Sequence, residues 1–126
     1  MQGLNSPGAP DCIYLEAPCG NVAAETAHVY FSKGDNISVV FQKNLDHFYS
    51  QSPGQFIVSL AQLSDAPQFE KVLTIPDDKQ PSLTLYTPNI TLPSTLSGPV
   101  VLQVVYVTNN PQAPASFYQC ADIRVI

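Results

Sequence analysis

The chain has 126 residues, twelve of them proline, with ten acidic and five basic side chains and a net charge of −5. That length supports one domain with a real core, because a chain of this size buries roughly two-thirds of its unfolded surface. Five basic residues (Lys33, Lys43, Lys71, Lys79 and Arg124) cannot build a phosphate-binding face, which excludes nucleic acid and anionic membrane as partners. Many prolines with few charges also exclude a helical bundle: helix interiors reject Pro, and surface helices are rich in Lys, Glu and Arg.

Residues 1–18 read as an irregular leader containing Pro7, Pro10 and Pro18, and residues 19–126 as the folded domain. The rest is short β runs divided by Gly, Pro, Asn and Asp. Ala27 to Phe31 is a strand, and Lys33-Gly34-Asp35-Asn36 a turn. Ile37, Val39 and Phe41 then alternate with Ser38, Val40 and Gln42 at the period of two that a half-buried strand requires. Asn44 to Gly54 is a loop. Gln55 to Leu63 alternates again, with Phe56, Val58 and Leu60 on one side and Ile57, Ser59 and Ala61 on the other.

After a turn at Ser64 to Gln68 come weaker strands at Glu70 to Ile75, Ser82 to Tyr86 and Asn89 to Leu92, interrupted by Pro76, Pro81, Pro88 and Pro93. Val100 to Thr108 is nearly continuous apolar and β-branched, the mark of a strand central to its sheet. Past the Pro-rich loop Asn109 to Pro114, Ser116 to Ile126 alternates once more. The pattern predicts an all-β fold: a single antiparallel immunoglobulin- or fibronectin-like β-sandwich of seven or eight strands. No stretch reaches the roughly 18 apolar residues of a transmembrane helix.

Two triplets, Asn36-Ile37-Ser38 and Asn89-Ile90-Thr91, are N-glycosylation acceptors in a secreted chain. Low charge density and the cysteine placement point to the same compartment. Met1 to Pro7 has neither a charged start nor an apolar run, so it reads as a mature secreted chain behind an added methionine. Three cysteines allow one disulfide and leave one over. Cys19–Cys120 would close a loop of about 100 residues, worth roughly 4–5 kcal/mol on the chain-entropy model; Cys12 is the alternative partner. No C-x₂₋₄-C pair suggests metal thiolates.

Catalytic signatures are sparse. There is no G-x-S-x-G elbow and no Gly-rich phosphate loop. Asp77-Asp78 reads as a solvated turn, with too few carboxylates around it for more than weak calcium binding. The two histidines are His28, just before Val29-Tyr30-Phe31, and His47, in the loop Asn44-Leu45-Asp46-His47-Phe48-Tyr49. Loops on a β scaffold carry function, and a neutral imidazole suits copper or zinc, but one His does not make a site. Hydrogen bonding of a loop histidine to backbone is the plainer reading of His47. Tyr49, Tyr106, Tyr118, Phe48 and Phe117 read as core or strand-face residues, and an exposed Tyr among them would stack on sugars.

A set of segments in order carries a resemblance: Ala17-Pro18-Cys19-Gly20, Asp46-His47-Phe48, Pro99 to Tyr106 with Val101-Leu102-Gln103-Val104-Val105, and Phe117 to Ile123 with Tyr118-Gln119-Cys120-Ala121-Asp122. Over residues 17–126 the chain resembles the lytic polysaccharide monooxygenase superfamily, closest to its fungal copper-acquisition-type branch. The resemblance implies an immunoglobulin-like sandwich, a disulfide between the Cys19 and Cys120 segments, and copper on a flat face. In that family copper is held by the amine and imidazole of an N-terminal His and by a second, loop His. His47 matches the second His, and the resemblance leaves Asp122 and Asp46 as alternative candidates for the carboxylate that supplements it in the copper-acquisition branch. The chain departs from the family in having no His near its start, in a Gly20-Asn21 pair where Gly-Gly is usual, and in its leader.

The functional expectation is therefore a secreted, non-catalytic interaction module on this scaffold, with a glycan or a cell-surface or extracellular protein as partner. Copper capture through His47 and a carboxylate is the alternative. A polysaccharide monooxygenase whose N-terminal His lies outside these residues is the third reading.

Overall fold

The computed structural model describes residues 6–126; the first five residues of the expected leader lie outside the described residues. A single 3₁₀ turn at Pro10–Cys12 is followed by nine strands: β1 (Tyr30–Phe31), β2 (Asn36–Ser38), β3 (Phe41–Lys43), β4 (Gln55–Gln62), β5 (Glu70–Pro76), β6 (Thr84–Tyr86), β7 (Asn89–Thr91), β8 (Gly98–Val107) and β9 (Ser116–Val125). One layer is a five-stranded sheet in the order β1-β9-β8-β4-β5, and the other is formed by the ladders β2–β7 and β3–β6.

The nine strands reduce to seven in physical terms. β2–β7 pairs Ile37 with Ile90, and β3–β6 pairs Phe41 with Tyr86, so the register runs unshifted through both ladders. The interruption falls where Val39 faces Pro88, which has no N–H to give to the ladder. One bond survives there, from the Val39 N–H to the Pro88 carbonyl at 2.8 Å. The second layer is thus one long ribbon with a proline gap.

The core lies between this ribbon and the five-stranded sheet. Ile37, Val39, Phe41, Ile90 and Leu92 from the ribbon meet Phe56, Val58, Leu60, Val100, Leu102, Val104, Tyr106, Ile123 and Val125 from the sheet. Each fully buried aliphatic or aromatic side chain contributes roughly 1.5–3 kcal/mol. β8 is buried on both faces, since Val101, Gln103 and Val105 on its outer side are covered too. Part of that cover is the leader: Gln103 Nε2 donates to the Pro18 carbonyl at 2.9 Å, and the Tyr118 N–H to the Tyr14 carbonyl at 2.8 Å. This double cover is the reason β8 reads as continuous apolar sequence.

The other ladders are antiparallel, but β1 runs parallel to β9, pairing Tyr30 with Arg124 and Phe31 with Val125. The strand expected over Ala27 to Phe31 shortens to its last two residues. Gly54 sits where a Cβ would collide with the Val107 carbonyl oxygen, so the β3–β4 loop can lie flat against the end of β8 only with glycine there. That close approach brings the His47 loop to the site end of the sandwich. Among the described residues, no helix is long and apolar enough to cross a membrane.

Candidate functional site

Four segments converge at one end of the sandwich: the loop after β3, the start of the β5–β6 loop, the end of β8 and the start of β9. The organising element is an ion pair. The β3 alternation that turns Ile37, Val39 and Phe41 inward also turns Lys43 inward, and Lys43 is 1% exposed. Its Nζ lies 2.7 Å from Asp77 Oδ1 and 2.7 Å from Asp46 Oδ1, and donates to the Gln80 carbonyl at 2.8 Å.

Asp77 is likewise 1% exposed. The solvated turn expected at Asp77-Asp78 is therefore corrected for Asp77, whose carboxylate is buried on Lys43. Burying an ammonium without such partners would cost several kcal/mol, so the loop after β5 is pulled inward to supply the counter-charge. Asp77 Oδ2 also accepts from the Tyr106 hydroxyl. Burial first, then the hydrogen bond to Asp77, pushes the Tyr106 hydroxyl far above its ordinary range. Burial, with the charge of Asp77 behind it, pushes neighbouring Tyr86 up to about 12.

This network positions His47. The Tyr106 hydroxyl donates to Asp77 and accepts from the His47 N–H at 3.2 Å, while Asn110 Nδ2 donates to the His47 carbonyl at 3.0 Å. Asp46 closes a tight turn by accepting from the Phe48 N–H at 2.9 Å. The His47 ring stacks on Phe117, with centroids 5.1 Å apart and planes 10° from parallel, and Tyr106 stands at 6.1 Å. Burial lowers the His47 pKa below its ordinary 6.5 against the opposing pull of Asp46, so the ring is neutral at neutral pH. For Asp46, burial raises the pKa, but the Lys43 hydrogen bond, the Phe48 N–H and the nearby positive charge outweigh it and bring it below 3.8.

Beside His47 opens an apolar cavity of about 260 Å³, walled by Phe41, Leu45, Tyr106 and Phe117 and by Cys12 and Ile13 of the leader. The leader is strapped over it: Asn44 Oδ1 accepts from the Gly8 N–H at 2.7 Å, and Asn44 Nδ2 donates to the Ser6 carbonyl at 3.0 Å. On the far side of the sheet a disulfide joins Cys19 to Cys120, the first of the two pairings the sequence left open.

The residues read as ligands from sequence are only partly brought together. His47 and Asp46 share the loop, yet Asp46 Oδ1 is held by Lys43 and by the Phe48 N–H. Asp122 lies five residues beyond Phe117 on β9, roughly 16 Å along the strand at about 3.3 Å per residue, and its Oδ2 accepts from the Glu25 N–H at 2.9 Å. His28, exposed just before β1, stands at that same distant stretch of β9. Asn36 and Asn89, read from sequence as glycan acceptors, are exposed on the ribbon, away from this end. Sequence reasoning missed the Lys43–Asp77–Tyr106 network. Lys43 carried a signal, an inward position in the period-two pattern, whereas nothing local marked Asp77 as its partner.

Against this geometry, the model of the copper acquisition factor BIM1-like domain matches residues 12–126. The chain belongs to that family. Its fold is that of solved lytic polysaccharide monooxygenases. A cellulose-active one, CelS2, in complex with copper aligns at 20% identity and a TM-score of 0.55, over 76% of this chain and 52% of that one. An AA10 enzyme from Streptomyces lividans aligns at 17% identity and 0.55, over 76% and 58%. The catalytic domain of one from Listeria monocytogenes aligns at 20% and 0.54, over 79% and 60%. The BIM1-like chain thus spans only between half and two-thirds of the length of these monooxygenases. A search of curated protein sequences finds no match.

Membership in a copper acquisition family raises the question of whether the residues present fit copper. The His47 ring is neutral, as a ligand requires. Yet no group of three or more His, Cys, Asp and Glu among the described residues is placed to hold a metal ion. One imidazole with an already engaged carboxylate is not a closed copper site. The described residues do not assemble one by themselves.

Proposed function

We propose that this BIM1-like domain is an extracellular, non-catalytic interaction module that recognises its partner with the His47 end of the sandwich. The observation that carries the reading is the commitment of Asp46 to Lys43 and the placement of Asp122 far along β9, which leave His47 without an unengaged carboxylate to complete a metal site. The surroundings suit a neutral glycan: half-buried Tyr49 and Asn110 with exposed Asn109 and Gln112 offer amides and a ring, and no charge. The cross-domain disulfide supports an oxidising compartment. A cell-surface or extracellular protein is the other class of partner.

Copper capture through His47 is a second reading, favoured by the neutral imidazole and by the family. Titration of the natively secreted chain with Cu(II), alongside His47→Ala, separates the two. The module reading expects weak binding and no peroxide-dependent release of oxidised oligosaccharide from polysaccharide. Sub-micromolar binding abolished in His47→Ala would overturn it in favour of copper capture.

A further inference from the structure

The two acceptor triplets, Asn36-Ile37-Ser38 and Asn89-Ile90-Thr91, face each other. β2 and β7 are antiparallel with Asn36 opposite Thr91, Ile37 opposite Ile90 and Ser38 opposite Asn89. Both isoleucines point into the core, and both asparagines, Ser38 and Thr91 lie exposed on the outer face of the ribbon. The polar groups are paired across the triplets: Asn36 Nδ2 donates to Thr91 Oγ1 at 3.3 Å, and Ser38 Oγ donates to Asn89 Oδ1 at 2.8 Å. Each triplet thus engages the other's acceptor amide.

We propose that Asn36 and Asn89 form a paired N-glycan face that accepts oligosaccharide only before the ribbon closes, with Asn36 served ahead of Asn89. The inference rests on the extracellular reading above. In the transfer, the asparagine Nδ2 attacks the anomeric carbon of a lipid-pyrophosphate-linked oligosaccharide. A C–N bond forms, the C–O bond to the pyrophosphate breaks with the lipid pyrophosphate leaving, and the amide gives up one proton. In the folded domain Asn36 Nδ2 is engaged by Thr91. To enter an enzyme's active site either triplet must leave the ribbon and pull Ile37 or Ile90 out of the core.

Synthesis order separates the two sites. Asn36 emerges about fifty residues before Asn89, a lead of roughly 3–10 s at about 5–20 residues per second. A two-stranded ribbon is marginal by itself, so it closes for good once β8 and β9 complete the core, soon after Asn89 appears. Diagonal neighbours across such a ladder stand about 7–8 Å apart, so both sugars rise from one patch. That patch also holds Val40 and Leu85, exposed apolar residues on the same outer face, which the sugars would cover.

The test expresses the chain behind a fused signal sequence in a eukaryotic host and maps occupancy by glycopeptide mass spectrometry, with Asn36→Gln and Asn89→Gln as site controls. The expected result is sugar at both sites, with lower occupancy at Asn89. Ile37→Thr, which keeps the triplet and slows closure, should raise Asn89 occupancy. Should that variant not fold, a second measurement stands: unglycosylated chain offered to transferase membranes with donor lipid accepts sugar when unfolded and loses acceptance when folded. Equal acceptance in both states, or occupancy at Asn89 above Asn36, overturns the proposal. Because the fused signal imposes entry into the pathway, a chain that forms its disulfide but carries no sugar overturns the glycan face alone, whereas the compartment reading is tested by the native gene product.

Discussion

Lys43 is the residue on which the site end depends. Replacing it with Met keeps the stem and removes the charge, leaving the Asp77 carboxylate buried with its main counter-ion gone. Breaking one side of a buried pair costs about 3–5 kcal/mol, so Lys43→Met should lose that much in chemical denaturation. Lys43→Met combined with Asp77→Leu should recover most of it; no recovery would mean that Lys43 acts through packing alone. Tyr106→Phe removes the hydroxyl that joins His47 to Asp77. It should cost about 1–3 kcal/mol and speed hydrogen exchange at the His47 amide. At this scale the sequence was half legible. His47 and Asp46 were visible as a loop motif, but the alternation was followed only as far as Phe41, one inward position short of Lys43, and Asp77 was read as solvated because its partner lies 34 residues away. A lone Lys continuing an inward apolar alternation is the sign that a carboxylate elsewhere must be buried with it.

Among the elements, the strands were legible nearly to their ends because strand alternation and proline punctuation are local. β4, β5, β8 and β9 fall within two residues of their expected limits. What alternation does not encode is pairing: the parallel contact of β1 with β9 joins residues 94 apart, and the gap between β2 and β3 is caused by Pro88 on the opposite strand. The leader is the element with most to test. Its described residues form no strand, yet they cover the outer side of β8 and wall the cavity beside His47. The disulfide fastens it to β9 across a separation of 101 residues. Replacing Cys19 and Cys120 together by Ser should lower stability by about 4–5 kcal/mol on the chain-entropy model and expose Val101 and Val105 to solvent. Unchanged denaturation midpoints, with Val105 still protected from exchange, would show that the leader holds without its tether.

For the molecule as a whole, the site end makes stability depend on pH in a defined direction. His47 is surrounded by Asp46 on its own loop, by Lys43 from β3 and by Asp77 from the β5–β6 loop. Burial keeps its folded pKa below the ordinary 6.5. As pH falls past 6.5, the unfolded chain therefore takes up a proton that the folded chain refuses, and the balance shifts toward unfolding. Asp46 acts in the same direction lower down: its folded pKa lies below 3.8, so the unfolded carboxylate is protonated first and stability is lost as pH drops through that value. In buffer freed of metal by a chelator, the unfolding free energy should be level between about pH 7 and 9, decline below about 6.5 and decline again below about 4. His47→Gln should flatten the upper decline and leave the lower one in place. Stability that rose on acidification between pH 6.5 and 5 would mean that the attraction of Asp46 and Asp77 outweighs the burial of the ring. His47 would then be charged when folded, a poorer metal ligand and a poorer stacking face for a neutral sugar.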